Sequence, residues 1–492
     1  MTALRFCLVS PVGLFRRTSP WYVRFSVIIL LMVLGLSTVV QAAGPIVLIK
    51  DINDGPDDSS PDLQVVFNDV MYFTAYNPVY GNELWRSDGT TSGTTLVKDV
   101  NPGSESSNIF PLVTMDGMLY FAGYSNGEWG WWKSDGTTSG TVLITTLTGE
   151  PTWSAVSNHR LFFSAAVDKT HSSNFELWVT DGTASGTQLV KDIYPGIAGS
   201  SPTFMTDVNG TLFFRADDGV HGVELWKSDG TSAGTVMVKD IYEGNLPSAP
   251  YALTSVQGTL YFVASDVFGN RRLWRSDGTE AGTVQVSSAI LFSSYATYQQ
   301  PVITEMNGSL YFVATDEVHG YELWKSDGSV GSASLVKDIA EGTAESVPHD
   351  MKVVNKVLYF VADDGIHGEE LWRSDGTAAG TQLVKDIAPG VNSSRPRYLA
   401  SVNNTLVFIA NDGTHGYELW TSGGTGQDTS MVEDLVPGSG DAFRTDSGPR
   451  IFSLLKTKVL FTATDGQTGQ ELRAFTLSSG LGSKVFLPTV SS

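Results

Sequence analysis

Glu370–Gly390 reads ELWRSDGTAAGTQLVKDIAPG, and this stretch decides the fold because the chain repeats it. A near copy, ELWVTDGTASGTQLVKDIYPG, spans Glu176–Gly196. The tryptophan of the motif recurs at intervals of 46 to 50 residues. Its copies are Trp85, Trp132, Trp178, Trp226, Trp274, Trp324, Trp372 and Trp420. A further copy keeps Glu471-Leu472 but has Arg473 at the tryptophan position, so the sequence predicts an array of about nine similar units.

Each unit divides into four short segments with the periodicity and punctuation of β-strands. In the fourth unit, the first strand is predicted at Thr203–Val208 and the second, rich in aromatic residues, at Thr211–Ala216. A glycine-rich turn, Asp217–Gly222, leads to the third strand, which carries the Glu-Leu-Trp motif. An Asp-Gly turn and a fourth strand of the type LVKDI complete the unit, because glycine readily adopts the positive φ of tight hairpins.

This arrangement predicts the fold class all-β, a β-propeller of four-stranded antiparallel blades. The segment Val47–Ile52 reads as a fourth strand without its first three, whereas the last unit lacks a good fourth strand. Pairing of these two ends would close a ring of about nine blades and remove the exposed sheet edges. An eight-blade ring with a spare unit and an open arc are the alternatives. The stretch Lys484–Val490 is a rival for the missing strand.

The first 42 residues differ from the rest of the chain. They contain four arginines, no acidic residue and an apolar run at Phe25–Val40, followed by the small-residue site Val40-Gln41-Ala42. This pattern predicts a cleaved signal peptide and a secreted protein, extracellular or at the cell surface. An uncleaved anchor is the alternative and would be the only membrane contact. The predicted organisation is a signal peptide at 1–42, one propeller at 43–476 and a tail at 477–492.

The charge and the cysteine content narrow the function classes. The 492 residues carry 31 Lys and Arg against 52 Asp and Glu, a formal net charge of −21. Nucleic acid is therefore not an expected partner, because phosphate backbones are bound by basic surfaces. The only cysteine, Cys7, lies in the predicted signal peptide, so the mature chain has neither a disulfide framework nor a Cys-rich zinc site.

The copies resemble the ELWxxDGT repeat family of secreted bacterial proteins, also called the hyalin-like repeat, from about Val47 to Phe475. This resemblance implies secretion and a repeat fold, but no established activity. The chain departs from the motif where Gly130-Trp131 replaces Glu-Leu and where Arg272 replaces Glu. It also has Gly423 in place of the turn Asp and Arg473 in place of Trp.

The residues that recur from unit to unit are best interpreted as structural. The tryptophans are expected to pack between blades rather than to stack on sugars. The turn aspartates are expected to bond their own turn amides, although calcium is an alternative of low weight. Examples are Asp88, Asp181, Asp229 and Asp375. The Glu of the third strand and the Lys-Asp of the fourth could form ion pairs that fix the register of the blades.

Four units also place a histidine three residues after an aspartate, for instance Asp218 with His221 and Asp364 with His367. Asp and His together are metal-ligand types. Each unit supplies only one such histidine, however, and equivalent loops of neighbouring blades are expected to lie far apart. We therefore favour turn chemistry and predict no cofactor and no confident metal site.

Function is expected where the copies differ, since the shared positions serve the scaffold. Aromatic residues of the second unit and a basic, aromatic stretch of the fifth are typical of contacts with carbohydrate or protein. The candidate ligand-binding residues are Trp129, Trp131, Arg271, Arg272, Phe292, Tyr295 and Tyr298. In a closed propeller, the turns between second and third strands share one face with the links between units.

The sequence shows no catalytic constellation, although it has enough carboxylates for a glycosidase pair. It predicts a secreted non-enzymatic protein that binds an extracellular polysaccharide or surface protein, in adhesion or recognition. An extracellular polysaccharide hydrolase or lyase is the alternative function. A purely structural component of the cell surface is the third hypothesis.

Overall fold

The computed structural model describes residues 44–169, 173–266, 268–291, 303–444 and 452–477. These residues form nine antiparallel sheets and no helix, arranged as a β-propeller, so the predicted fold class is confirmed. Within this part of the chain no helix is long and apolar enough to span a membrane. The predicted signal peptide and residues 478–492 lie outside the described residues.

We number the blades from the first complete one in chain order. The first three contain Asp62–Phe67, Val70–Asn77, Gly81–Ser87 and Thr95–Lys98; Leu112–Met115, Met118–Ser125, Glu128–Ser134 and Val142–Leu147; Ser154–Ser157, Arg160–Ala166, Phe175–Thr180 and Gln188–Lys191. The fourth and fifth contain Thr203–Val208, Thr211–Asp217, Val223–Ser228 and Val236–Lys239; Tyr251–Val256, Thr259–Ser265, Arg271–Ser276 and Val284–Gln285. The seventh and eighth contain His349–Val354, Val357–Asp363, Glu369–Ser374 and Gln382–Lys385; Arg397–Val402, Thr405–Asn411, Tyr417–Ser422 and Thr429–Glu433.

The sixth blade has an interrupted first strand. Two pieces, Ile290–Leu291 and Ile303–Met306, both pair with the second strand, Ser309–Thr315. The blade continues with Glu322–Ser326 and Ser334–Lys337. The link that enters this blade therefore differs from the links elsewhere in the ring.

The two ends of the chain build the ninth blade together. Its strands Ser453–Leu455, Lys458–Ala463 and Glu471–Thr476 are completed by Val47–Lys50, which pairs antiparallel with Glu471–Thr476. The predicted closure by the N-terminal strand is confirmed, and the ring has nine blades. The eight-blade ring and the open arc are wrong. The rival strand, residues 484–490, lies outside the described residues.

Nine apolar clusters form the core, one at each interface between neighbouring blades. At the interface of the fourth and fifth blades, for example, Phe213 and Leu225 pack with Phe262 and Trp274. Seven of the eight repeat tryptophans are buried in this way, and Trp178 is half-buried. The tryptophans therefore contribute their large apolar surface to blade packing.

The turns use the chemistry that their residues favour. Asn209 and Gly210 have φ of 51° and 81°, as the two central residues of a type I′ hairpin require. In the next turn of a blade, Asp88 Oδ1 accepts hydrogen bonds from the amide and hydroxyl of Thr90. The Thr90 hydroxyl bond is the main reason why the pKa of Asp88 lies below its usual range. The same bonds recur at Asp181, Asp229 and Asp375.

The expected ion pair between the third-strand Glu and the fourth-strand Lys does not form. Glu370 is fully buried and accepts hydrogen bonds from the Ile387 amide and from the amide and hydroxyl of Ser394. Lys385 instead crosses to the next blade. The carboxylate therefore fixes the link between blades, because buried backbone amides need an acceptor there.

The eighth blade lacks one of these donors. Its third-strand carboxyl group, Glu418, has Ala442 at the position that Ser394 occupies relative to Glu370. Glu418 is fully buried and its Oε2 has no hydrogen-bond partner within the described residues. Burial, opposed by backbone amides such as that of Val436, raises the pKa of Glu418 to about 8. This carboxyl group is therefore protonated at neutral pH.

We expect Ala442→Ser to stabilise the protein by about 1–2 kcal/mol at pH 8.5, because it adds a hydrogen bond to the buried carboxylate. The folded state holds the Glu418 proton more tightly than the unfolded state, whose pKa is near 4.5. The stability that comes from binding this proton is therefore complete below pH 4.5 and is lost as the pH rises to 8. Urea unfolding measured at pH 5.5 and at pH 8.5 should show that the free energy of unfolding falls less between these two values in the variant than in the parent. Glu418→Gln, which cannot titrate, is the reference, and an unchanged pH dependence in Ala442→Ser would contradict this account.

Candidate functional site

A pocket of about 270 Å³ lies between the fifth and sixth blades. It opens on the face that carries the turns between second and third strands and the links between blades. Four of the residues in its wall are Arg272, Ser287, Glu317 and Trp324. The first three of them replace residues that recur in several other blades.

Arg272 occupies the position of the buried Glu, which is Glu224 in the preceding blade. Its Nε lies 3.1 Å from Asp266 Oδ2, and Nη1 donates a hydrogen bond to the Ser288 carbonyl. Burial alone would raise the pKa of Asp266, but the bond from Arg272 and two backbone amides hold it below its usual range. No hydrogen bond of Nη2 is formed with the described residues. The guanidinium group is therefore anchored on one side and lines the pocket with the other.

Ser287 and Ser288 occupy the positions of Lys239 and Asp240 in the preceding blade. Lys239 crosses to the fifth blade, where its Nζ donates to the Thr283 carbonyl over 3.0 Å. Ser287 is too short for such a contact with the sixth blade. The space beside Trp324 consequently stays open as part of the pocket.

Glu317 occupies the position of Gly219 in the glycine-rich turn and keeps its left-handed conformation, with φ of 69°. A side chain at this φ costs about 1–2 kcal/mol relative to the glycine of the equivalent turns. The side chain of Glu317 is exposed at the pocket. Beside it, amide and imidazole bonds from His319 and the Val318 amide lower the pKa of Asp316 to about 2. Asp316 is therefore ionised at neutral pH.

The other predicted ligand-binding residues lie elsewhere. Trp131 is fully buried against Phe163 of the third blade, with ring centres 5.1 Å apart, so it is a core residue and not a binding residue. Trp129 is half-buried and packs edge-on against Tyr124. Arg271 lies over the ring of Tyr251, 5.2 Å from its centre. Phe292, Tyr295 and Tyr298 fall outside the described residues.

The Asp–His pairs form within single turns. His221 Nδ1 lies 2.8 Å from Asp218 Oδ2, and His367 Nδ1 lies 2.8 Å from Asp364 Oδ2. In each pair the hydrogen bond to the carboxylate raises the pKa of the imidazole. Within the described residues, no three side chains of Asp, Glu or His are grouped as metal ligands.

Sequence reasoning found Arg272 but missed Ser287 and Glu317. The signal was present in the aligned copies, where VQVSS stands against VMVKD and TDEVHG against DDGVHG. These substitutions are small and polar or acidic, so they do not stand out as aromatic residues do. Their meaning depends on the interface that brings them together.

No family model and no curated protein sequence matches the chain. Among solved structures it is similar to a puromycin hydrolase, with 15% identity over 71% of this chain and 58% of that one and a TM-score of 0.37. A prolyl endopeptidase has 11% identity over 74% of this chain and 54% of its own, with a TM-score of 0.40. The β-propeller domain of the Trilobed protease from Pyrococcus furiosus has 10% identity over 67% and 98%, with a TM-score of 0.35. The chain spans 54% to 62% of the length of the puromycin hydrolases and prolyl endopeptidase it matches first.

These comparisons contradict two predictions made from the sequence: a non-enzymatic binding function and the absence of enzymatic activity. Several of the similar structures are hydrolases, namely puromycin hydrolases and a prolyl endopeptidase. At identities of 15% or less, the likeness concerns the fold and transfers neither a substrate nor a catalytic residue to this chain.

Proposed function

We propose that the chain is a secreted hydrolase of an extracellular polymer and that the pocket between the fifth and sixth blades is its substrate site. One observation carries this proposal: four departures from the repeat line one pocket. They are Arg272, Ser287, Ser288 and Glu317. An active site is normally singular, whereas residues copied from blade to blade serve the scaffold. The predicted signal peptide supports the secreted location.

The pocket offers the two charges that a hydrolytic reaction uses. Glu317 is an exposed carboxylate at the rim, and we assign proton transfer to it. Arg272 brings a fixed positive charge to the wall, where it would stabilise negative charge that develops on the substrate. The short side chain of Ser287 leaves the space in which the substrate binds.

Glu317→Gln should lower kcat for polymer hydrolysis by about 100-fold or more, the usual contribution of a positioned acid–base group. The assay follows soluble fragments released from fluorescently labelled polysaccharides and proteins. Glu280→Gln is the matched control, because Glu280 is exposed on the turn of the opposite face. Full activity of Glu317→Gln, or no turnover of any polymer in the panel, would refute the proposed function.

Glu317→Gly restores the glycine that the equivalent turns have. It should raise the stability of the protein and lower its activity. Glycine adopts a φ of 69° without strain, so the free energy of unfolding should rise by about 1 kcal/mol. Activity should fall as in Glu317→Gln. Urea unfolding gives the first quantity and the polymer assay the second. A variant that is both less stable and fully active would contradict the strained-site interpretation.

A further inference from the structure

A lysine joins most neighbouring blades in the same way. Lys385 of the seventh blade donates to the Thr429 carbonyl over 2.8 Å, and its Nζ lies 5.6 Å from the centre of the Trp420 ring. The same pair of contacts is made by Lys50, Lys98, Lys191 and Lys337. Each ammonium group thus lies between a carbonyl oxygen and an aromatic face, where a cation is stabilised.

The pocket between the fifth and sixth blades has all the parts of this arrangement except the lysine. Ser287 stands at the lysine position, Trp324 at the tryptophan position and Ala333 at the threonine position. All three line the pocket. The open space therefore coincides with the place that a lysine side chain takes at other interfaces.

One other interface has the tryptophan without the lysine. Between the second and third blades, Thr145 stands at the lysine position. The following tryptophan, Trp178, is the one repeat tryptophan that is half-buried rather than buried. Trp324 has also lost its lysine but is 8% exposed, so the loss of the lysine does not by itself expose the indole.

We infer that the pocket binds the ammonium end of a lysine side chain of a polypeptide substrate, in place of the missing internal lysine. This inference rests on the proposed function and names the substrate group that its site recognises. The choice of lysine follows from the other interfaces, which hold an alkylammonium chain between a carbonyl oxygen and an indole face.

The charges around the pocket agree with a cationic ligand. The carboxylates of Glu317 and Asp316 both line it. The positive charge of Arg272 is balanced by Asp266, and His319 is hydrogen-bonded to Asp316. The carboxylate of Glu317 at the rim can therefore attract the ammonium group, and the indole of Trp324 in the pocket wall can receive it.

The test is titration calorimetry of the full chain with n-butylammonium chloride, the lysine side chain alone. We expect one equivalent to bind at this pocket, and the neutral isostere 1-butanol to bind there at least tenfold more weakly. Ser287→Lys should weaken butylammonium binding at least tenfold, because the internal lysine fills the pocket. The matched variant Lys385→Ser opens the same space above Trp420, so it should bind a second equivalent and leave polymer turnover unchanged.

Several results would overturn the inference: equal binding of butanol, undiminished binding by Ser287→Lys, or no second equivalent in Lys385→Ser. Should Ser287→Lys not fold, Trp324→Leu must show the tenfold loss instead. Nα-acetyl-lysine amide should bind more tightly than glucosamine, and the reverse order would also overturn the inference. Binding without turnover would refute only the proposed hydrolase, whereas turnover without butylammonium binding would refute only the lysine pocket.

Discussion

Asp465→Ala should destabilise the protein by about 3–5 kcal/mol, because it leaves a buried guanidinium group without its counter-ion. Arg473 stands at the tryptophan position of the ninth blade and is 3% exposed. Its Nη2 lies 3.0 Å from Asp465 Oδ2 and donates to the Thr468 hydroxyl. Its Nε donates to the Ala463 carbonyl, as the indole of Trp420 donates to the Ala410 carbonyl. The arginine therefore reproduces the indole hydrogen bond but adds a charge that Asp465 must balance.

A double-mutant cycle tests this explanation by urea unfolding. Arg473→Trp restores the residue of the other blades and removes the buried charge. In that background, Asp465→Ala should cost less than about 1 kcal/mol, the range of substitutions away from buried networks. If Asp465→Ala lowered the free energy of unfolding equally with Arg473 and with Trp at position 473, Asp465 would stabilise only its own turn and not the arginine.

The pair also predicts a response to acid. Backbone amides of the turn and Arg473 outweigh burial and lower the pKa of Asp465 to about 2. A lowered folded pKa contributes stability above the unfolded value of 3.8, and this contribution disappears as the pH falls from 3.8 to 2. Asp465→Ala should therefore lose its destabilising effect relative to the parent at the acid end of this range.

The repeat made the fold predictable because strand pairing in a propeller is local to each unit. The predicted bounds Thr203–Val208 are those of the strand, and the predicted second strand, Thr211–Ala216, differs by one residue at its end. Closure was also predictable, since a lone fourth strand at one end and three strands at the other complete each other. Copies of one unit thus supply an internal alignment without any relatives.

The contacts between blades were less predictable, because they depend on directions that periodicity does not give. The fourth-strand bulge turns Lys385 toward the next blade, away from Glu370 of its own blade. Trp131 illustrates a different error: it takes the place of a leucine such as Leu225, whose position faces the core. Its aromatic character suggested a surface role, whereas its strand position determined its burial.

The candidate site depends on the sequence of single blades and also on the contacts between two blades. Arg272, Ser287 and Glu317 come from the third strand and exit of one blade and from a turn of the next. Their separate departures from the repeat are visible in the sequence. That they come together can be seen only when the two blades are placed side by side. The pocket can be recognised only by comparison with the other interfaces, where a lysine fills the same space.

Closure of the ring leads to the second large effect: Ile49→Asp should destabilise the protein by about 5 kcal/mol or more. Ile49 is 3% exposed and lies in the apolar cluster between the ninth and first blades, with Leu472 and Phe73. The substitution removes a large aliphatic group and places a charge in a cluster without a partner for it. It acts on the strand that joins the two chain ends in one blade.

Loss of this strand would also remove the hydrogen bonds to Glu471, which accepts from the Ile52 amide and the Ser59 hydroxyl. The freed edge of Glu471–Thr476 would then be open to pairing with other chains. Leu48→Asp is the matched control, because Leu48 is 36% exposed on the same strand. We expect Ile49→Asp to lower the urea midpoint, to become sensitive to proteolysis and to aggregate. Leu48→Asp should keep the free energy of unfolding within about 0.5 kcal/mol of the parent. Equal behaviour of the two variants would mean that the propeller is held together by its eight other interfaces without closure by the N-terminal strand.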